Sequence, residues 1–206
     1  MTTYHHNLNF DISLLKDNHS ITDLPRIVNG ERAYHSLVNI EENINPVMLE
    51  FLAEIGLHIY YCELFYSKPN FFSQIHIDAN AFRRDFTKIN WVFGGNGSVM
   101  NWYKPKEKTI RLEESVPTGP NSFSYVMYQK EEVDLLHSAP LGIPSIVQVG
   151  IPHNIINPIE DRYCISLAIA TNKYNKIYRL TMQESLDLLS NYLAPAYGIE
   201  PQSPAS

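Results

Sequence analysis

The sequence predicts a mainly β protein, a sandwich or barrel with few helices, and three observations carry that expectation. Short runs rich in aromatic and β-branched residues recur along the chain. Turn chemistry such as Gly94-Gly95-Asn96-Gly97 and Asn157-Pro158 separates them, and only two segments carry helix start and stop signals. With 206 residues, 44% of them hydrophobic, the chain can bury one sizeable core but not two comfortable ones, so residues 1–194 are expected to form a single domain.

Residues 1–44 mix short apolar runs with Asp23, Pro25, Asn29 and Gly30, which predicts one or two strands of an outer sheet. A short amphipathic helix follows: Asn45 can cap it, Pro46 suits its first position and Gly56 stops it. Strands are expected at His58 to Tyr66, Phe71 to Asp78, Thr87 to Phe93, Ser98 to Tyr103, Ser122 to Tyr128, Ser145 to Val149 and Tyr163 to Ala170. Thr181 and Glu184 have the spacing of a capping box and open a second helix through about Tyr192. Residues 195–206, rich in proline and serine, read as a flexible tail.

Sixteen Lys plus Arg against twenty-two Asp plus Glu give a formal charge of −6, which offers no footprint for phosphate backbones or anionic lipid. Nucleic acid and membranes are therefore poor partners. No apolar stretch approaches the roughly 20 residues of a membrane span, and the N-terminus lacks a signal-peptide layout, so a cytoplasmic protein is expected. Cys62 and Cys164 read as buried free thiols.

Chemistry concentrates in Phe72-Ser-Gln-Ile-His-Ile-Asp78. Residues two apart on a strand share a face, so His76 and Asp78 project side by side. A further imidazole would complete a set of two histidines and one carboxylate, which leaves positions open on iron(II). His153, at the end of an apolar strand and a Gly-x-Pro turn, is the candidate; His137 is its weaker rival. Arg162 follows His153 by nine residues and opens the next apolar strand. On a hairpin the two would face one cavity, where a guanidinium would bind a carboxylate through two parallel hydrogen bonds.

The arrangement His76-x-Asp78, His153, Arg162 resembles the 2-oxoglutarate- and iron(II)-dependent oxygenases, especially compact members akin to the aspartyl/asparaginyl and prolyl hydroxylases. The resemblance spans roughly residues 58–170. It implies a double-stranded β-helix, the cupin-like jelly roll, with a few flanking helices. It further implies iron held by His76, Asp78 and His153, with Arg162 anchoring the far carboxylate of 2-oxoglutarate. Many members carry a serine two residues after the arginine; here that position is Cys164, and Ser166 stands one alternation further on.

Lys88, Asn90 and Val92 share one strand face, and Ile89, Trp91 and Phe93 the other. If the first set lines the pocket, Asn90 is the polar residue to contact co-substrate or substrate. Asn101 and Tyr103 share a face of the next strand, and Tyr103 is a further candidate there. His5, His6, His19, His35 and His58 are read as ordinary structural histidines. The segment 79–86, with Arg83, Arg84 and Asp85, is either a lid or a solvated loop, and the loops within 104–145 would carry specificity.

Three function classes follow. The first is a 2-oxoglutarate-dependent hydroxylase acting on a small molecule or a protein side chain. The second is a cupin-like metalloenzyme that needs no 2-oxoglutarate. The third is a jelly-roll binding module without metal. Substrate identity and oligomeric state are not legible.

Overall fold

The computed structural model describes residues 4–24, 33–78, 86–106, 114–118, 121–141, 143–171 and 180–195. The proposed lid, apart from Phe86, and residues 196–206 of the proposed tail lie outside them. The chain begins with strand β1 (His5–Asn7) and β2 (Ala33–Leu37), followed by helices α1 (Ile40–Asn43) and α2 (Pro46–Glu54). Next come β3 (His58–Ser67), β4 (Phe71–Phe72), β5 (Ile75–Asp78), β6 (Thr87–Gly94) and β7 (Val99–Pro105). The remaining elements are β8 (Glu114–Thr118), β9 (Asn121–Tyr128), β10 (Val133–Pro140), β11 (Ser145–Gln148), β12 (His153–Asn157), β13 (Arg162–Ala170) and helix α3 (Met182–Leu188).

Among the described residues the strands form two antiparallel sheets. The first has the order β1-β11-β6-β13-β3-β2; the second runs β10-β7-β12-β5-β9-β8, with β4 attached to β12. The chain passes back and forth between the sheets, which is the jelly-roll arrangement the sequence predicts. The expected strands of residues 1–44 are β1 and β2, at opposite edges of the first sheet.

The first sheet is buried on both faces, which explains why β13 reads as a continuous apolar run. One face, with Leu64, Tyr66, Ile89, Trp91, Ile165 and Leu167, packs beneath Met48 and Leu52 of α2 and Met182 of α3. The other face, with Val92, Val147 and Cys164, meets Met100, Trp102 and Ala139 of the second sheet. Local signals set the helix ends as expected. Val47 N donates to Asn45 Oδ1 at 3.0 Å, and Gly56 takes φ 77°, a conformation that suits glycine. Thr181 and Glu184 exchange hydrogen bonds of 3.2 and 2.7 Å at the start of α3, whose α-helical part ends at Leu188 before a single 3₁₀ turn.

One expectation fails. β12 and β13 are not a hairpin, because β12 belongs to the second sheet and β13 to the first. The connection crosses the sandwich, and Asn157 fixes it: its Nδ2 donates to the carbonyls of Ser67, Lys68 and Glu160 at 3.1, 3.0 and 2.8 Å. His153 and Arg162 therefore lie on facing sheets rather than on neighbouring strands.

Candidate metal centre

β5 and β12 are paired so that His76 stands directly opposite His153. Directly opposed residues in an antiparallel pair share a face. That face is interior, because His153 is also opposite Trp102, which is fully buried between the sheets. Asp78 follows two residues after His76 on the same face. One ligand atom from each of His76, Asp78 and His153 lies within 4.8 Å of the others. Asp78 Oδ1 is 3.4 Å from His76 Nε2 and 3.8 Å from His153 Nε2. Two donors bound side by side to one ion at about 2.1 Å stand roughly 3 Å apart, so a small contraction suffices.

The hydrogen bonds of the two imidazoles assign their tautomers. His76 Nδ1 is 2.9 Å from the carbonyl oxygen of Gln74, and His153 Nδ1 is 2.9 Å from that of Ile151. A carbonyl only accepts, so both Nδ1 atoms carry the hydrogen, and in the neutral rings both Nε2 lone pairs face Asp78. Burial, and next the neighbouring His76, push His153 down to about 3, so it is neutral at ordinary pH. Burial by itself would raise Asp78, but the Lys88 ammonium holds its carboxyl well below the usual range. Two lone pairs and a carboxylate oxygen thus converge on one point. Such a donor set repels itself unless a cation lies between, and it matches the ligand chemistry of divalent iron. The residues fit a metal ion.

Around the triad runs a buried charge network that the sequence reading missed. Lys88 Nζ lies 2.5 Å from Asp78 Oδ2 and 2.7 Å from Glu63 Oε2, while His35 Nε2 is 3.0 Å from Glu63 Oε1. His35, expected to be an ordinary structural histidine, also stacks on Phe65 with centroids 4.2 Å apart. Tyr125 sits edge-on to His76, and its hydroxyl is 3.5 Å from His35 Nδ1. Burial would raise Glu63, but Lys88 and His35 hold it below the usual carboxylate range. The signal was present: a lone Glu in Tyr-Tyr-Cys-Glu63-Leu-Phe and a lone Lys in Thr-Lys88-Ile-Asn, each inside an apolar strand, betray a buried pair.

The other candidates divide. Arg162, Ser166 and Asn90 are buried on the inter-sheet face of the first sheet, as the alternation with core Tyr163, Ile165 and Ile89 requires. Ser166 is directly opposite both Asn90 and Glu63. Asn90 Oδ1 and Arg162 Nε have no hydrogen-bond partner among the described residues. The backbone of Gly95, at φ 68°, lies against the aliphatic stem of Arg162. Tyr103 is not at the centre. It points to the opposite face of β7 from Trp102, and its hydroxyl donates to Asn154 Oδ1 at 3.0 Å, because strand alternation turns it away from His153. His137 is also elsewhere, tilted against Trp102 at 5.6 Å and stacked on His5 at 5.3 Å between centroids.

The chain matches no protein-family model and no curated protein. Among solved structures it is similar to a 2OG-Fe(II) oxygenase family oxidoreductase from Burkholderia pseudomallei. The TM-score is 0.43 and the identity 13%, over 74% of this chain and 76% of that one. It is also similar to Peruvianin-I, a cysteine peptidase from Thevetia peruviana latex, with TM-score 0.36 and 10% identity over 75% and 72% of the two chains. An oxalate oxidase aligns with TM-score 0.31 and 11% identity over 79% and 72%.

Proposed function

We propose that this chain is a 2-oxoglutarate- and iron(II)-dependent oxygenase that hydroxylates a small molecule or a protein side chain. The observation that carries the reading is the convergence of the His76 and His153 Nε2 lone pairs with Asp78 Oδ1 inside a jelly roll. Iron bound there would supply redox chemistry and open coordination positions, and the protein supplies binding and orientation.

The chain's own residues support a dicarboxylate as the partner of that metal. Arg162 is a buried cation with an unsatisfied Nε on the sheet facing His153. A buried guanidinium without a full set of acceptors favours an incoming carboxylate, which it binds through two parallel hydrogen bonds. In this reading Arg162 anchors the far carboxylate, with Ser166 and Asn90 as polar neighbours. Cys164, which takes the place of the family's serine, has its thiol pushed up by burial despite Arg162 beside it. It remains a neutral thiol.

Anaerobic titration of metal-free protein with iron(II), then with 2-oxoglutarate, tests the reading. The expected result is one iron per chain and a visible metal-to-ligand charge-transfer band when 2-oxoglutarate is added. Iron binding without that band would leave a jelly-roll metalloenzyme that needs no 2-oxoglutarate. Failure to bind iron would leave a binding module.

A further inference from the structure

Lys88 is 3% exposed and bridges two carboxylates, with Nζ 2.5 Å from Asp78 Oδ2 and 2.7 Å from Glu63 Oε2. Asp78 is divided by this contact. Its Oδ1 faces His76 and His153, while its Oδ2 is committed to the ammonium. Glu63 is itself fixed from behind, because its second oxygen meets His35 Nε2 at 3.0 Å. The cation is therefore clamped by a residue of β3 that touches neither imidazole of the triad. A buried ion pair of this kind adds little net stability over an apolar pair, so stability alone does not account for it.

We propose that Lys88, clamped by Glu63, is a positioning residue that restricts Asp78 to coordination through one oxygen. A carboxylate can bind an ion through one oxygen or through both. With both oxygens of Asp78 engaged, the protein would supply four donor atoms to a six-coordinate ion and leave two positions. A chelating co-substrate fills two, so dioxygen would have none. Occupying Oδ2 keeps that last position open, and it costs metal affinity because a fixed positive charge stands beside the ion. The inference rests on the reading of His76, Asp78 and His153 as a metal centre.

The decisive variant is the double substitution Glu63→Gln/Lys88→Met, which removes the cation together with its clamp and leaves no unpaired charge at position 63. Cobalt(II) is titrated anaerobically into the full-length wild-type and variant proteins. Visible absorption reads affinity, X-ray absorption reads coordination number, and 2-oxoglutarate is then titrated into the cobalt proteins. The double variant should bind cobalt roughly tenfold more tightly, gain one coordinating oxygen, and bind 2-oxoglutarate roughly tenfold more weakly. Lys88→Arg, which keeps a cation between the carboxylates, should restore wild-type values. Unchanged or weaker cobalt binding with unchanged coordination in the double variant would overturn the proposal.

Should the double variant fail to fold, Glu63→Gln alone decides. It leaves the full charge of Lys88 on Asp78 and should weaken cobalt binding several-fold; an unchanged affinity overturns the proposal. Wild-type protein that takes up no cobalt would overturn the metal-centre reading, and this inference with it, whereas normal uptake with insensitive variants overturns only the role of Lys88.

Discussion

His76 and His153 face each other across a single rung of the ladder between β5 and β12, with ring centroids 4.5 Å apart and each Nδ1 tied to a backbone carbonyl two residues before it. Strand register sets their separation, and the local backbone sets which nitrogen is presented. The geometry of the two imidazoles is thus part of the sandwich itself. Asp78→Ala should therefore remove stoichiometric iron binding and turnover while the fold persists, because Lys88 keeps Glu63 as a counter-ion. Metal analysis after anaerobic reconstitution should read near zero, and the metal-free melting temperature should stay within about 3 °C of wild type. A variant that retains one iron per chain would exclude Asp78 as a ligand.

Arg162 depends on Gly95 for its place. A Cβ on residue 95 would come within 2.6 Å of Arg162 Cγ and 2.7 Å of its Cβ, at a φ of +68° that side chains rarely adopt. Arg162→Ala should cost roughly 2–5 kcal/mol of 2-oxoglutarate affinity, and Gly95→Ala should shift it in the same direction by displacing the stem. Iron affinity should change little in either variant. Isothermal titration of 2-oxoglutarate into the anaerobic iron protein separates the two effects, and equal affinities across all three proteins would remove Arg162 from the co-substrate site.

Strand chemistry made most of the sandwich legible. His58 to Tyr66, Thr87 to Phe93 and Tyr163 to Ala170 are central strands whose aromatic and β-branched residues pack on neighbours, so their sequences declare them. β12, which opens at His153 in the middle of the second sheet, did not declare itself, and neither did β8 and β10. The latter two are edge strands, and β10 is bulged between Leu135 and His137 and exposes Leu135 and Leu136, so it has no alternation to read. The His-x-Asp pair was legible because a two-residue period fixes a shared face whatever the tertiary structure. Tyr103 was misjudged for the complementary reason: alternation says which residues share a face, not which face turns inward. Glu63 and Lys88 meet only through the pairing of distant strands, and periodicity contains no information on that.

Asn157 joins the two sheets at the crossing between β12 and β13. Its amide nitrogen is shared among three carbonyls, and the residue is fully buried. Asn157→Ala strips those carbonyls of their donor without giving them access to water. The variant should be destabilised by roughly 1–3 kcal/mol. Because this crossing also delivers Arg162 to the start of β13, 2-oxoglutarate binding should weaken before iron binding does. Urea denaturation of the metal-free protein measures the first effect. A midpoint equal to wild type would show that the crossing is held by other contacts.

The N-terminal strand should be the acid-sensitive part of the sandwich. His5 on β1 stacks against Trp102 and His137, with centroids 5.6 and 5.3 Å away, and Tyr4 stacks on the same two rings. Burial first, then His137 and His6, push His5 down from 6.5 to about 4. Above 6.5 the ring is neutral in both folded and unfolded chains, and its contribution to stability is complete. Between 6.5 and about 4 the unfolded chain binds a proton that the folded chain refuses, so acid favours release of the strand. Among the described residues β1 pairs within its sheet with β11 alone, and Asn7 O also accepts from Ala194 N at 2.9 Å, so releasing the strand breaks an edge of the sheet rather than its centre. Hydrogen exchange at His5–Asn7 should accelerate as the pH is lowered through this window, after correction for the intrinsic rate. His5→Phe, which keeps an aromatic ring in the stack but cannot be protonated, should remove most of that dependence. An equally steep dependence in His5→Phe would show that the acid sensitivity does not come from His5.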